Sequence, residues 1–472
     1  MVILFLLLLF VAVLLVNTAR TSAKARKLEG QHPVFTEEEL KNYGETFSRM
    51  LQCATVSVKD SYDDTEFAKL RAVVEADFPL LHQKAERMIF GSDCWMYKIP
   101  GKDTSRNILL MSHHDVVAAD TDWTEPPFDG IIKEGKVYGR GAADTKGSLC
   151  AILFGMEQML REGIIPPMNV YIVSSHNEEL GGDGMPKVLE YCQQAGITFE
   201  VILDEGGAIV EPPLAGMNCE MCAMVAVHEK GRLKLTCTAR NESSHVSLTG
   251  FKGNPVERMA QFIQEITTKN IFIRRLNPQT KAMFQSLAPY CSFPMKLLMS
   301  NLWLFGPILL KVLPKMNATA GGMIGTTCNF QKIEGGVTEK ICTSSVMLRN
   351  INEEDLKADY AAFKAVADKY GITLETERDE YYAPADMDSA AYAYTMDCLA
   401  KIFPRFPAAP YILPAGTDAW RLTPVCDCVL RFAPTRMSKQ QLGSIHAADE
   451  NLDISAIAEA AAFYKYFTVN YK

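Results

Sequence analysis

The sequence predicts an α/β fold with a central, mostly parallel sheet, interrupted by an inserted ferredoxin-like α+β unit. Three observations carry that expectation. Short, continuous apolar runs at 108–112, 169–175 and 199–203 alternate with helical patterns, and unbroken runs of this length suit strands buried on both faces. From residue 228 the rhythm changes to half-exposed alternation, in the order β-α-β-β-α-β. After residue 380 the helix–strand pattern resumes, so the second unit lies within the first. A chain of 472 residues also exceeds one ordinary core. The implied divisions are 1–27, 28–227, 228–380 and 381–472, with the second and fourth forming one domain.

Taken in order, residues 2–16 are an unbroken apolar run, followed by Arg20, Lys24, Arg26 and Lys27. A spanning helix wants about 20 apolar residues, so this run is short for one. No basic residue precedes it, unlike a secretory signal. The basic flank lies beyond it, which by the positive-inside rule keeps the remainder cytoplasmic. The expectation is an uncleaved single-pass membrane anchor. The alternative is a signal cleaved near Ala23, Lys24 and Ala25, with secretion.

Residues 36–52 and 64–87 read as amphipathic helices, the first opened by a capping box of Thr36 and Glu39. An extended run at 131–138 leads into the turn Gly139–Arg140–Gly141–Ala142–Ala143–Asp144–Thr145–Lys146–Gly147, and a helix over 148–162 follows. In the inserted unit, strands are expected at 231–240, 326–334, 341–349 and 372–377. Its helices fall at 254–268, with Pro255 at the first position, and at 353–370, closed by Gly371. The apolar stretch 297–313 is broken by Pro307 and Lys311, too interrupted to span a membrane, and reads as core of the inserted unit.

A formal net charge of −8, with no basic stripe beyond the N-terminus, argues against a nucleic-acid partner. Thirteen scattered cysteines, an odd number, suit reduced and mostly buried thiols rather than a disulfide framework. The pairs Cys219/Cys222 and Cys426/Cys428 lack the second half of a zinc ribbon.

The chemistry gathers where the apolar strands end. They run out into His113, His114 and Asp115, into Glu178 and Glu179, and into Asp204 and Glu205. In open α/β sheets the ligand site lies at the carboxyl ends of the strands, so one cleft collects these groups. Asp144 stands in the glycine-punctuated turn, where unusual backbone angles are tolerated, and can offer one oxygen to each of two ions. His113, Asp144, Glu179, Asp204 and His446 make a five-ligand set of imidazole and carboxylate. That set suits Zn2+, with Co2+ or Mn2+ as substitutes. Five ligands exceed one tetrahedral zinc, which implies two ions sharing Asp144 around a water. Asp115, two residues past His113, can orient its imidazole, and Glu178 is free to act as general base. Strand alternation turns His114 toward the core, and His32, His82, His176 and His228 read as surface or structural.

These motifs resemble the M20 family of metallopeptidases, in the branch holding carboxypeptidase S and the N-acyl-amino-acid hydrolases. The matching stretches are Ser112–His113–His114–Asp115–Val116–Val117, Trp123 with Pro126–Pro127–Phe128, the glycine turn, Asn177–Glu178–Glu179–Leu180–Gly181, Asp204–Glu205–Gly206, and His446. They cover residues 35–472 in the family's order. The resemblance implies a zinc-peptidase-like catalytic domain with an inserted lid, often used for dimerisation. It implies one zinc on His113, Asp144 and Asp204 and another on Asp144, Glu179 and His446. It further implies Glu178 as base, Asp115 behind His113, and a cis peptide bond after Asp144. His245 would be the lid histidine that polarises the scissile carbonyl, and Arg349 the clamp on the substrate carboxylate.

Two departures bear on specificity. Where relatives carry Asn and Pro in a Gly-Val-Lys-x-Asn-Val-Ile-Pro stretch, this chain has Lys340 and Thr343, and Trp420 stands where relatives carry Arg, with Arg421 one place on. The expected activity is di-zinc hydrolysis of an amide next to a free carboxylate, in a small peptide or an N-acyl amino acid. The alternatives are a catalytically silent, metal-holding binding protein and a di-metal phosphoesterase, the latter disfavoured by the lack of a basic phosphate cluster or P-loop.

Overall fold

Local rules place most of the elements. In the computed structural model, which describes residues 1–119, 122–241, 254–316 and 318–472, the helix Glu37–Leu51 opens on the expected capping box. Glu39 N–H donates to Thr36 Oγ1 (3.2 Å) and Thr36 N–H to Glu39 Oε2 (2.7 Å). In the helix Pro255–Thr268, Asn254 Oδ1 accepts from the amides of Val256 and Glu257. Gly371, at φ +60°, ends the helix Glu353–Lys369.

The strands in chain order are β1 (Glu86–Phe90), β2 (Cys94–Ile99), β3 (Asp103–His113), β4 (Ile131–Lys133), β5 (Lys136–Tyr138), β6 (Met168–Ser175), β7 (Ile202–Asp204), β8 (Ile209–Val210) and β9 (Cys222–Glu229). They continue with β10 (Arg232–Arg240), β11 (Thr327–Gly336), β12 (Ile341–Arg349), β13 (Ile372–Glu380), β14 (Ala408–Leu413), β15 (Val429–Arg431), β16 (Arg436–Met437) and β17 (Asn451–Asp453). The chain divides into two units. One comprises Met1–His228, Ala282–Ser300 and Pro384–Lys472, the other Glu229–Lys281 and Asn301–Ala383.

The first unit is built on a ten-stranded mixed sheet in the order β1-β2-β6-β3-β7-β15-β9-β8-β16, with β14 beside β9. Its centre is parallel, β3 lying between β6 and β7 and β15 beyond β7. β6 is buried at every residue, which is why it reads as an unbroken apolar run. The helices Gly147–Arg161 and Ile454–Asn470 pack against each other over this core. In the second unit, β11-β12-β10-β13 form an antiparallel sheet, the ferredoxin-like arrangement. β10 and β12 alternate buried with half-exposed residues, the buried set meeting Phe262 and Phe363 from the two helices.

Three expectations need correction. The helix expected over 64–87 is two helices, Asp64–Asp77 and Pro79–Lys84, followed by β1. Pro79 restarts the helix, and the buried Glu157 carboxylate accepts the amides of Leu80 and Leu81 at its positive end. The stretch 297–313 is core only in part, through Met299, Leu309 and Leu313. It forms parts of the helices Phe293–Ser300 and Leu302–Met316, whose Phe293, Trp303, Ile308 and Val312 are exposed. The N-terminal run is longer than its strictly apolar part: the helix extends over Val2–Ala23, 22 residues, through Asn17, Thr18 and Thr21. It is long and apolar enough to be a membrane anchor or a signal peptide.

Candidate metal centre

The register of the parallel strands assembles the site. His113, the last residue of β3, lies level with Ser175, the last of β6, so the segment 176–180 emerges beside it. His113 is buried, and its Nδ1 hydrogen-bonds the Asp115 carbonyl at 3.0 Å, with Asp115 Oδ1 at 3.4 Å. The same Asp115 carboxylate accepts the amides of Glu178 (3.1 Å) and Glu179 (3.2 Å). One buried carboxylate thus orients the imidazole and fixes the loop that carries both glutamates. His114 points the other way, as alternation requires. It stacks on Trp95 at 4.1 Å, and its Nδ1 lies 2.8 Å from Ser174 Oγ.

Asp144 stands between the two histidines. Its Oδ1 is 3.0 Å from His113 Nε2 and its Oδ2 is 3.0 Å from His446 Nε2. His446 Nε2 is also 3.2 Å from Glu179 Oε1. The peptide bond after Asp144 is cis, as the resemblance implies. The turn is held from below by Glu450, fully buried, whose two oxygens accept the amides of Gly141, Ala143 and Asp144 and the Arg140 guanidinium (2.7–3.0 Å). Arg140 in turn lies over the Trp123 ring at 5.1 Å.

Asp204, expected as a ligand, is engaged by neighbouring groups of the strand end. Its Oδ2 accepts the Ala419 amide at 3.1 Å and its carboxylate bonds the Thr417 hydroxyl. Glu205 faces the centre instead, Oε1 lying 3.5 Å from His113 Nε2. Asp204 closes β7 level with Arg431, and the next residue turns to the opposite side of the strand end. The adjacency of two acids hid this, since spacing alone does not say which faces the cleft. Sequence reasoning also missed Glu450 and the buried Asp418, which accepts from Ser175 Oγ at 2.7 Å. His245 lies outside the described residues. Arg349, in the second unit, ends β12 and donates to the Lys230 carbonyl at 3.3 Å. Lys340 sits at φ +58° in the turn between β11 and β12, a conformation that suits the relatives' Asn better. Arg421 donates to the Gly181 carbonyl at 3.0 Å, next to the loop of the two glutamates.

The electrostatics are those of a centre built for cations. Among the described residues, two groups have donor atoms within 4.8 Å of one another: His113, Asp144 and Glu179, and His113, Glu178 and Glu205. Burial raises Glu178 well above the usual carboxyl range, and the carboxylates of Asp418, Asp115 and Asp144 add to it. Glu205 is raised in the same way, by burial and then by Asp144, Glu178 and Asp204. His113 is raised despite its burial, because Glu205, Asp115 and Asp144 surround it. His446, hydrogen-bonded by Asp144 and Glu179, rises to about 10. Carboxylates in excess around two imidazoles fit divalent transition metal ions by both charge and donor type.

A mixed sheet with a parallel centre, imidazole and carboxylate groups gathered at its strand ends and a buried carboxyl beside them suits a metal-dependent hydrolase. The chain belongs to peptidase family M20/M25/M40, whose sequence profile matches residues 109–470. It is 27% identical to N-fatty-acyl-amino acid synthase/hydrolase PM20D1 of Xenopus tropicalis, over 97% of this chain and 92% of that protein. It is 29% identical to probable carboxypeptidase S-like 2 of Dictyostelium discoideum, over 97% and 91%. Among solved structures it resembles the M20 metallo-carboxypeptidase Sso-CP2 of Sulfolobus solfataricus, with a TM-score of 0.65, 17% identity and coverage of 92% and 99%. Human carnosine dipeptidase 1 follows at 0.64, with 12% identity over 93% and 99%. The chain is therefore a metallopeptidase or amidohydrolase of this family.

Proposed function

We propose that the enzyme hydrolyses an amide bond next to a free carboxylate, in a small peptide or an N-acyl amino acid, using two zinc ions. Residues His113, Asp144 and Glu205 would hold one, and Asp144, Glu179 and His446 the other. The observation that carries this is the Asp144 carboxylate, which divides its two oxygens between the two histidines at 3.0 Å each. The similar N-fatty-acyl-amino acid synthase/hydrolase and carboxypeptidase S-like protein support the two substrate classes.

Zinc, when bound, acidifies water and stabilises negative charge on a carbonyl oxygen. The chain's own residues do the rest. Asp115 keeps His113 in one orientation and fixes the backbone of Glu178 and Glu179. Glu178 takes a proton from the attacking water on its carboxylate and passes it to the departing nitrogen. Its raised proton affinity lets it hold that proton between the two transfers. His245 polarises the scissile carbonyl, and Arg349 receives the substrate carboxylate, with dimerisation through the inserted unit as the family resemblance implies. The helix Val2–Ala23 stays attached as a membrane anchor with the catalytic part cytoplasmic.

The test is a screen of dipeptides and N-acyl amino acids with the zinc-loaded full chain, repeated with Glu178→Gln. Turnover is expected to fall by roughly 10²–10⁴-fold while bound metal stays at the wild-type level. Near-normal turnover in that variant would remove Glu178 from the mechanism. For the anchor, protease protection in intact vesicles is the measurement, and a soluble mature protein starting near residue 24 would reject it.

A further inference from the structure

The sequence departure at Trp420 and Arg421 acquires a role in the fold. Both residues belong to the 3-10 helix Asp418–Val425 of the first unit. With three residues per turn, Arg421 stands above Asp418 on one side of this helix, and Trp420 points elsewhere. Ala419, Leu422 and Val425 are buried with Met185 and Val188 of the helix Gly184–Gln194, which fixes the short helix in the core. Its first turn is also tied to β7, because the Ala419 amide donates to Asp204 Oδ2 at 3.1 Å.

From that base two side chains reach the loop of Glu178 and Glu179. Ser175, the last residue of β6, donates its hydroxyl to Asp418 Oδ2 at 2.7 Å. Asp418 Oδ1 lies 3.6 Å from Arg421 Nε. Arg421 Nη2 donates to the Gly181 carbonyl at 3.0 Å. The guanidinium sits 4.6 Å from the centre of the Trp420 ring, which limits its swing. A chain of polar contacts therefore runs from the residue that enters the loop to the one that leaves it. Gly181 is the pivot. At φ +63° it caps the turn Glu178–Leu180, and its amide donates to the Glu178 carbonyl at 2.7 Å.

The loop thus has two separate fixings. Asp115 holds its first half through the amides of Glu178 and Glu179, and the same carboxylate lies beside His113. Arg421 holds the exit. It bonds Gly181 and pairs with Asp418, neither of them among the proposed metal ligands. A general base works only within hydrogen-bond reach of its proton, and a misplacement of about 1 Å is costly.

We propose that Arg421 is a positioning residue for Glu178: through Asp418 and the Gly181 carbonyl it sets where the Glu178 carboxylate stands in the hydrolytic reaction. The inference rests on Glu178 acting as general base. The full chain in detergent is compared as wild type, as Arg421→Met, and as Asp418→Asn with Arg421→Met. The double variant removes both charges together, so no buried carboxylate is left unpaired should the single variant fail to fold. Hydrogen exchange over residues 176–183 of the metal-free protein is expected to quicken in both variants, while β6 keeps its wild-type rate. With zinc loaded, kcat on a dipeptide or N-acyl amino acid that the wild type hydrolyses should fall by roughly 10–100-fold, at unchanged KM and bound zinc. Wild-type exchange in the loop would overturn the proposal. So would exchange quickened evenly over the first unit, which would make Arg421 a prop for the fold alone. A loosened loop with wild-type kcat would overturn it too, where Glu178→Gln has lost turnover. Turnover kept in Glu178→Gln rejects instead the reading on which the inference rests, whatever the loop does.

Discussion

The main sheets of the two units treat polar residues in opposite ways. In the first unit the central strands are buried on both faces, β6 at every position, so polar groups emerge only where a strand ends. In the second unit β12 alternates buried and half-exposed residues, and polar side chains such as Ser345 spread along one face. A sheet covered on both sides gathers its ionisable residues at one edge, where neighbouring charges shift one another's proton affinity. A sheet with one wet face dilutes them. The candidate centre stands at the edge of the first kind of sheet for that reason.

The comparison breaks most severely at Glu450, the buried carboxylate under the Asp144 turn. Glu450→Ala removes the acceptor for three amides and leaves Arg140 buried beside the gap. A loss of about 3–5 kcal/mol of stability is expected, read by denaturant unfolding of the full chain in detergent. Next comes the choice between two adjacent acids. Glu205→Gln should weaken metal binding by roughly 10–100-fold, the range in which support or ligation of a metal site is commonly felt. Asp204→Asn should leave bound metal near the wild-type level, because its oxygen serves Ala419. Metal content after dialysis against a chelator ladder separates the two, and the reverse order would restore the ligand set expected from the sequence.

A smaller effect concerns pH in the metal-free protein. Asp144 and Glu179 raise His446 from 6.5 to about 10. A group whose affinity for protons is raised by folding stabilises the fold fully below its unfolded value and loses that contribution as pH rises through its folded value. Thermal unfolding of the metal-free chain should therefore weaken between pH 6.5 and 10, and His446→Gln should flatten that slope. The half-exposed setting of His446 keeps the effect modest. The smallest effect belongs to the second sheet. Ser345→Ala on its wet side should change stability by less than about 0.5 kcal/mol. Val346→Ala one residue on, fully buried, should cost about 1–3 kcal/mol.

What was legible in the sequence follows the same contrast. His113, Glu178 and Glu179 could be read because continuous apolar strands point to their own ends, and Asp144 because glycines announce a turn. The choice between Asp204 and Glu205 was not legible, since it depends on where β7 stops, and strand ends are fixed by neighbours such as Arg431. Glu450 gave no local signal, because its partners lie some 300 residues away. The stretch 297–313 misled in the other direction: composition reports that residues are apolar, but only the fold decides which of them it covers.

Arg26 has a consequence for how the enzyme meets its substrates. With the Arg26 amide bound to Tyr290 Oη and the guanidinium to the carbonyls of Pro404 and Phe406, no slack linker separates the N-terminal helix from the body. If the helix stays in a membrane as proposed, the first unit has little freedom to swivel, so its metal centre keeps one bearing toward the lipid plane. Encounters would then be governed by lateral diffusion along a surface rather than by tumbling in bulk solution.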